Sequence, residues 1–114
     1  MIIKRGGIYL AALDPVIGRG ISKTRPVLVV SNNINNKFSG TITVLPITSG
    51  NTEKVYPFEV FLPMGIANLP KPSKVKADQI RTLDRSRIIK MIWALEKEAM
   101  SQVQEAMKCH LDLD

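Results

Sequence analysis

The side chains with most chemical promise in this sequence are hydroxyls and guanidiniums gathered in three stretches: Ser22-Lys23-Thr24-Arg25, Thr48-Ser49, and Gln79 with Arg81 and Thr82. A guanidinium presents a rigid fork of N–H donors that matches two phosphate oxygens and stays charged at any working pH, while Thr and Ser add short donors and acceptors. Such a trio is suited to gripping a phosphodiester. The competing reading is that Arg25 and Arg81 only cap strands through surface ion pairs. The residue pattern leaves both open.

Other chemistries lack their residues. A metal site needs a cluster of His, Cys, Asp or Glu, and the chain has one histidine, one cysteine and no close acidic pair before Glu96. No metal or other cofactor is expected. The same scarcity excludes a Ser-His-Asp triad and the paired carboxylates of a glycosidase. Gly18-Arg19-Gly20 lacks a third glycine, follows an Asp-Pro stop and precedes a strand, so it is neither a dinucleotide fingerprint nor a P-loop. Cys109 cannot pair within the chain and reads as a packed thiol, and His110 beside it as an ordinary helix-end residue.

Charge is unevenly placed. Residues 1–90 hold 14 Lys/Arg against 5 Asp/Glu, whereas residues 91–114 hold 2 against 5. A basic body with an acidic terminal segment points to an anionic partner, and phosphate backbones are the commonest one. The 114 residues allow one hydrophobic core, so a single domain over 1–114 is expected. No apolar stretch approaches the roughly 20 residues of a membrane helix, and the N-terminus lacks a secretory h-region. A cytoplasmic protein without a membrane partner is the expectation.

The elements that must position these side chains are short strands punctuated by Gly, Pro and Asn, followed by one helix. Ile8 to Leu13 reads as a first strand stopped by Asp14-Pro15, and Val16 to Thr24 as a loop carrying Arg19 and Lys23. After Pro26, Val27-Leu28-Val29-Val30 is apolar on both faces and reads as a central covered strand. The Asn-rich run Ser31 to Asn36 reads as a surface loop, and Thr41 to Ile47 as a strand with Pro46 marking a bulge or edge. From Thr48 to Tyr56 the chain reads as turn and mobile loop. Phe58 to Leu62 is a fourth strand, Ser73 to Gln79 or Arg81 a fifth, and Ile88 to Ala94 a sixth or the approach to the helix. From about Glu96, Ala99, Met100, Val103, Ala106, Met107 and Leu111 recur at helical steps, so a C-terminal helix should lay this face on the strands.

Several segments, in this order, resemble the MazF/PemK toxins of bacterial toxin–antitoxin pairs: Lys4-Arg5-Gly6, Leu13-Asp14-Pro15, Arg25-Pro26-Val27-Leu28-Val29-Val30-Ser31-Asn32, Pro46-Ile47-Thr48, Pro57-Phe58-Glu59-Val60 and Asp78-Gln79-Ile80-Arg81-Thr82-Leu83-Asp84. The resemblance implies a mainly β fold with a C-terminal α-helix, an SH3-like small β-barrel of the MazF/CcdB toxin type. It implies a homodimer whose groove takes single-stranded RNA, a cognate acidic antitoxin, and cleavage by attack of the ribose 2′-OH without a cofactor. Carried over position by position, the catalytic arginine and threonine fall on Arg25 and Thr48, and RNA-contacting positions on Ser31, Asn32, Ser49, Gln79 and Arg81. Arg19, Ser22, Lys23 and Thr24 join them as candidate RNA-binding residues by charge and location. Two departures stand out: Gly18-Arg19-Gly20-Ile21-Ser22 replaces a Gly-Ser-Glu-Gln type segment, and Gly7 replaces a frequent acid. Two other functions compete. A CcdB-like gyrase inhibitor works through terminal aromatic residues, which His110-Leu111-Asp112-Leu113-Asp114 lacks. A catalytically weakened relative would bind RNA or antitoxin without cutting.

Overall fold

The computed structural model describes residues 1–15 and 22–114, with backbone alone at 14, 15, 22 and 23. Arg19 therefore lies outside the described residues, as do the side chains of Ser22 and Lys23. The elements are β1 (Gly7–Pro15), β2 (Ser22–Val29), α1 (Asn33–Phe38), β3 (Thr41–Thr48), β4 (Glu59–Leu62), β5 (Ser73–Lys76), β6 (Arg81–Asp84), a 3-10 turn at Arg85–Arg87, β7 (Ile88–Ala94) and α2 (Lys97–Leu111). The strands form an antiparallel sheet in the order β4-β5-β3-β2-β1-β7, with β6 also on β3. The mainly β fold with a C-terminal helix is as expected. Among the described residues no ladder joins β4 to β7, so the sheet stays open instead of closing into a barrel.

Strand residues point alternately to opposite faces, and here each face has its own core. Ile8, Leu28, Val30, Leu45 and Ile47 pack on one side with Val103 and Ala106 of α2. Tyr9, Ala11, Leu13, Val27, Val29, Val44 and Leu83 pack on the other. The unbroken apolar run of β2 follows from this double covering. On α2, Ala99, Met100 and Met107 flank the buried Val103 and Ala106 against the first core. Leu111, expected on the same face, is 50% exposed because it ends the helix, just before Asp112 turns left-handed at φ 57.

Cys109, expected to be packed, is exposed on α2, and four expectations about strands and turns also need correction. The Asn run is not a loop: Asn32 caps α1 by accepting the Asn35 N–H at 2.8 Å, and buried Asn36 exchanges hydrogen bonds with Ser31. Turn-forming side chains here close a short helix. The fifth strand is two, because a turn in which Gln79 N–H donates to Lys76 O at 3.2 Å separates β5 from β6. Pro46 is neither bulge nor edge. It is buried and keeps the β2 register unshifted, at the point where β3 passes from β6 (Val44↔Arg81) to β5 (Ile47↔Val75). Finally, β2 begins at Ser22, ahead of the apolar run, through Asp14↔Lys23 and Pro15↔Ser22 pairing.

Candidate active site

The β2–β3 ladder runs Val29↔Val44, Leu28↔Leu45, Val27↔Pro46. Continuing that register by two residues sets Arg25 across from Thr48, and opposed residues of an antiparallel pair share a face. Arg25 lies two residues before Val27, and Thr48 follows Val44 and Pro46 at even steps, so both belong to the face of the second core and emerge where it ends. Arg81 comes to the same place two residues before Leu83. Its Nη2 donates to the Leu13 carbonyl at 3.0 Å. Leu13 is the extra residue where the β1–β2 register slips between Ala12 and Asp14, and such bulges re-aim groups next to functional sites.

Two clefts meet at this point and share Arg25, Ile47 and Thr48 as a common wall. The polar one, about 370 Å³, adds Leu13, Lys76, Gln79 and Arg81. The apolar-walled one, about 570 Å³, adds Leu10, Pro26, Leu69, Pro70 and Ile92, with Thr24 and Ser49 at polar positions. A larger groove of about 660 Å³ between β4 and α2 carries Glu98 and Glu105, the wrong sign for a phosphate backbone. Thr48 Oγ1 accepts the Gly50 N–H at 3.1 Å, which fixes the hydroxyl and leaves its proton to donate.

Behind the polar cleft lies a charged cluster. Glu59 and Lys76 are opposed across β4–β5, and Lys74 is opposed to Thr48 across β5–β3. Glu59 Oε2 accepts from Lys76 Nζ at 2.7 Å, and Oε1 accepts from Lys74 Nζ and the Tyr56 N–H, each at 3.0 Å. Burial pushes the Glu59 carboxyl up, but the Lys76, Tyr56 and Lys74 hydrogen bonds outweigh it and bring the pKa down to about 2. The hydrogen bond to Glu59 raises Lys76 in turn, against its own desolvation.

The family model described as a PemK-like, MazF-like toxin of type II toxin-antitoxin systems matches residues 4–111. The chain belongs to this family. It is 38% identical over 117 residues to endoribonuclease MazF9 of Mycobacterium tuberculosis, covering 98% of each chain. It is 38% identical over 113 residues to endoribonuclease EndoA of Bacillus subtilis, covering 99% of this chain and 97% of the relative. Among solved structures it resembles a MazE-MazF crystal structure from Deinococcus radiodurans, with TM-score 0.81, 28% identity and coverage of 100% and 99%. Another, Mycobacterium tuberculosis toxin MazF-mt6, gives TM-score 0.81 at 27% identity, covering 95% and 98%.

In this PemK/MazF chain the fold gathers Thr24, Arg25, Thr48, Ser49, Gln79 and Arg81 around the two clefts. It does not bring Ser31 and Asn32 there. Ser31 Oγ is occupied by Asn36 and accepts the Thr43 N–H at 3.0 Å, and the Asn32 side chain caps α1. Neither lines either of these two clefts, and the side chains of both are engaged in holding α1 and β3. Sequence reasoning misses Lys76 and Glu59. The signal available is a lysine at every second residue of Ser73-Lys74-Val75-Lys76, which sets both on one face of a strand. Gly7, the departure from the family's acid, also has a local cause: a Cβ there would run into Cε1 of the buried Tyr9 ring.

Proposed function

We propose that this family member is an endoribonuclease that cuts single-stranded RNA at the wall shared by the two clefts, as the toxin of a type II toxin–antitoxin pair. The observation that carries the reading is that Arg25 and Thr48 together line both the polar and the apolar-walled cleft. A phosphodiester on that wall would leave a base room in the apolar slot and the backbone against Arg25, Gln79 and Arg81. The 2′-OH attacks the adjacent phosphorus, the bond to the 5′ oxygen breaks, and a cyclic phosphate and a free 5′-OH result. Arg25 stabilises the charge that builds on the phosphorane oxygens, a role for which a preorganised guanidinium is suited. Thr48, anchored by Gly50, donates to a phosphate oxygen or orients the 2′-OH. The charge this reaction needs is supplied by side chains, so it proceeds without a metal ion.

The relatives named as endoribonucleases support this reading, as does the basic body. We further propose a single toxin domain over the whole chain and a homodimer whose paired clefts form one RNA groove. Its partner would be an acidic antitoxin, whose charge complements the basic surface; the Deinococcus radiodurans structure pairs MazE with MazF. No helix among the described residues is long and apolar enough to cross a membrane, and a messenger-cutting toxin acts in the cytoplasm.

The test is incubation of purified protein with a long single-stranded RNA in EDTA. Cleavage to 5′-OH ends is expected, reduced about a hundredfold or more in Arg25→Ala. RNA left intact by the wild-type chain, or cut equally by Arg25→Ala, would overturn the assignment.

A further inference from the structure

Lys76 brings to the polar cleft a cation whose head is tethered by a buried carboxylate. Its Nζ lies 2.7 Å from Glu59 Oε2 and 3.9 Å from Asp78 Oδ1, with the side chain 22% exposed, and it lines the cleft with Arg25, Thr48 and Arg81. Glu59 is fully engaged, its side chain 1% exposed and its other oxygen taken by Lys74 Nζ and the Tyr56 N–H. Lys74 also donates to the Lys54 carbonyl at 3.0 Å, which holds it on the far side of Glu59. The residue register agrees: Glu59 opposes Lys76, and continuing the β3–β5 pairing sets Lys76 across from Pro46, one step along the face from Thr48.

Resting on the ribonuclease reading above, we infer that Lys76 binds an RNA phosphate in the polar cleft and that Glu59 is its positioning residue. An ammonium has three N–H donors. Glu59 takes one at short range, Asp78 stands near the outer limit of an ion pair, and a donor remains for the cleft. Lys74 neutralises the inward side of Glu59, which leaves Asp78, 3.9 Å away, as the carboxylate an RNA phosphate would compete with for Lys76. A free surface lysine loses rotamer freedom when it grips a ligand. Lys76 is already held, so its contact forms with less ordering on binding. A lysine acts on phosphate as a point charge, so the contribution is independent of base sequence.

The test is fluorescence anisotropy with a fully 2′-O-methylated RNA strand, which cannot be cut, across a salt series. Lys76→Met is expected to weaken binding several-fold and make the log–log salt slope shallower by about 0.7, the value for one phosphate contact on a single strand. Lys76→Arg should keep most of the affinity. Glu59→Gln should weaken binding in the wild-type background and add nothing in the presence of Lys76→Met. Lys76→Gln, with the melting curve of each variant, separates lost binding from lost folding. A wild-type slope in Lys76→Met and Lys76→Gln overturns the contact, and additive effects of the two sites overturn the positioning role. Either result alongside RNA cleavage by the wild type in EDTA refutes this inference alone. Failure of the wild type to cut refutes the reading beneath it.

Discussion

Acidification should remove a defined part of this protein's stability through Glu59. Folding holds its carboxyl at about 2 against an ordinary value of 4.5, so between those pH values the folded chain binds fewer protons than the unfolded chain. The stabilisation is complete above pH 4.5 and is lost as the pH falls toward 2. At about 1.4 kcal/mol for each tenfold change in proton affinity, the full effect is on the order of 3 kcal/mol. That is a large part of the roughly 5–15 kcal/mol that holds an ordinary domain folded. Glu59→Gln keeps the shape of the side chain but cannot ionise, so it stands for the protonated state at every pH. In urea unfolding followed by circular dichroism, the variant should be about 3 kcal/mol less stable than the wild type at neutral pH. The gap should narrow below pH 4.5 and close as the pH approaches 2. A gap that stays constant from neutral pH down to about 3, or widens on acidification, would refute the assignment of this stability to the ion cluster.

Two further predictions concern the cores. Val103 is the fully buried anchor of α2, and Val103→Ala should cost about 2 kcal/mol, transfer and cavity terms together, in the same urea assay; an unchanged midpoint would mean that α2 does not depend on this contact. Gly7→Ala drives its Cβ into the Tyr9 ring, which is 1% exposed and whose hydroxyl accepts the Lys4 N–H at 3.0 Å. It should cost about 1–3 kcal/mol, and the cost should vanish in a Tyr9→Ala background, which a double-mutant cycle measures directly.

The features legible in the sequence were those with a period or a composition. The two-sided apolar run of β2 and the helical spacing from Ala99 to Met107 each announced an element and its burial, because burial itself selects those residues. The Asn run did not announce α1, since the same side chains favour turns, and only the Asn32 cap with the Ser31–Asn36 exchange decides for a helical turn. The division of the fifth strand was hidden because β5 and β6 answer to different halves of β3, a long-range choice that local pattern does not carry. Residue types nominated Arg25 and Thr48, but their meeting depends on strand register, which joins positions far apart in the chain. Lys74 and Glu59 were the least legible. Charged residues ordinarily stay outside, and their burial makes sense only once each is seen to satisfy the other.

Pro46 gives the cleft a character beyond its lining. Where β3 leaves β6 and takes up β5, the sheet forks, and the polar cleft is the notch between the prongs, bounded by Lys76 on one side and Arg81 on the other. Proline has no N–H to lend to a further ladder bond at the crotch of the fork, so the backbone cannot zip the notch closed. The opening is thus a property of strand connectivity and exists before any RNA arrives. Its breadth is set by the short turn of residues 77–80 that joins the prongs. Lengthening or shortening that turn would regauge the notch while leaving Arg25 and Thr48 in their places on the stem.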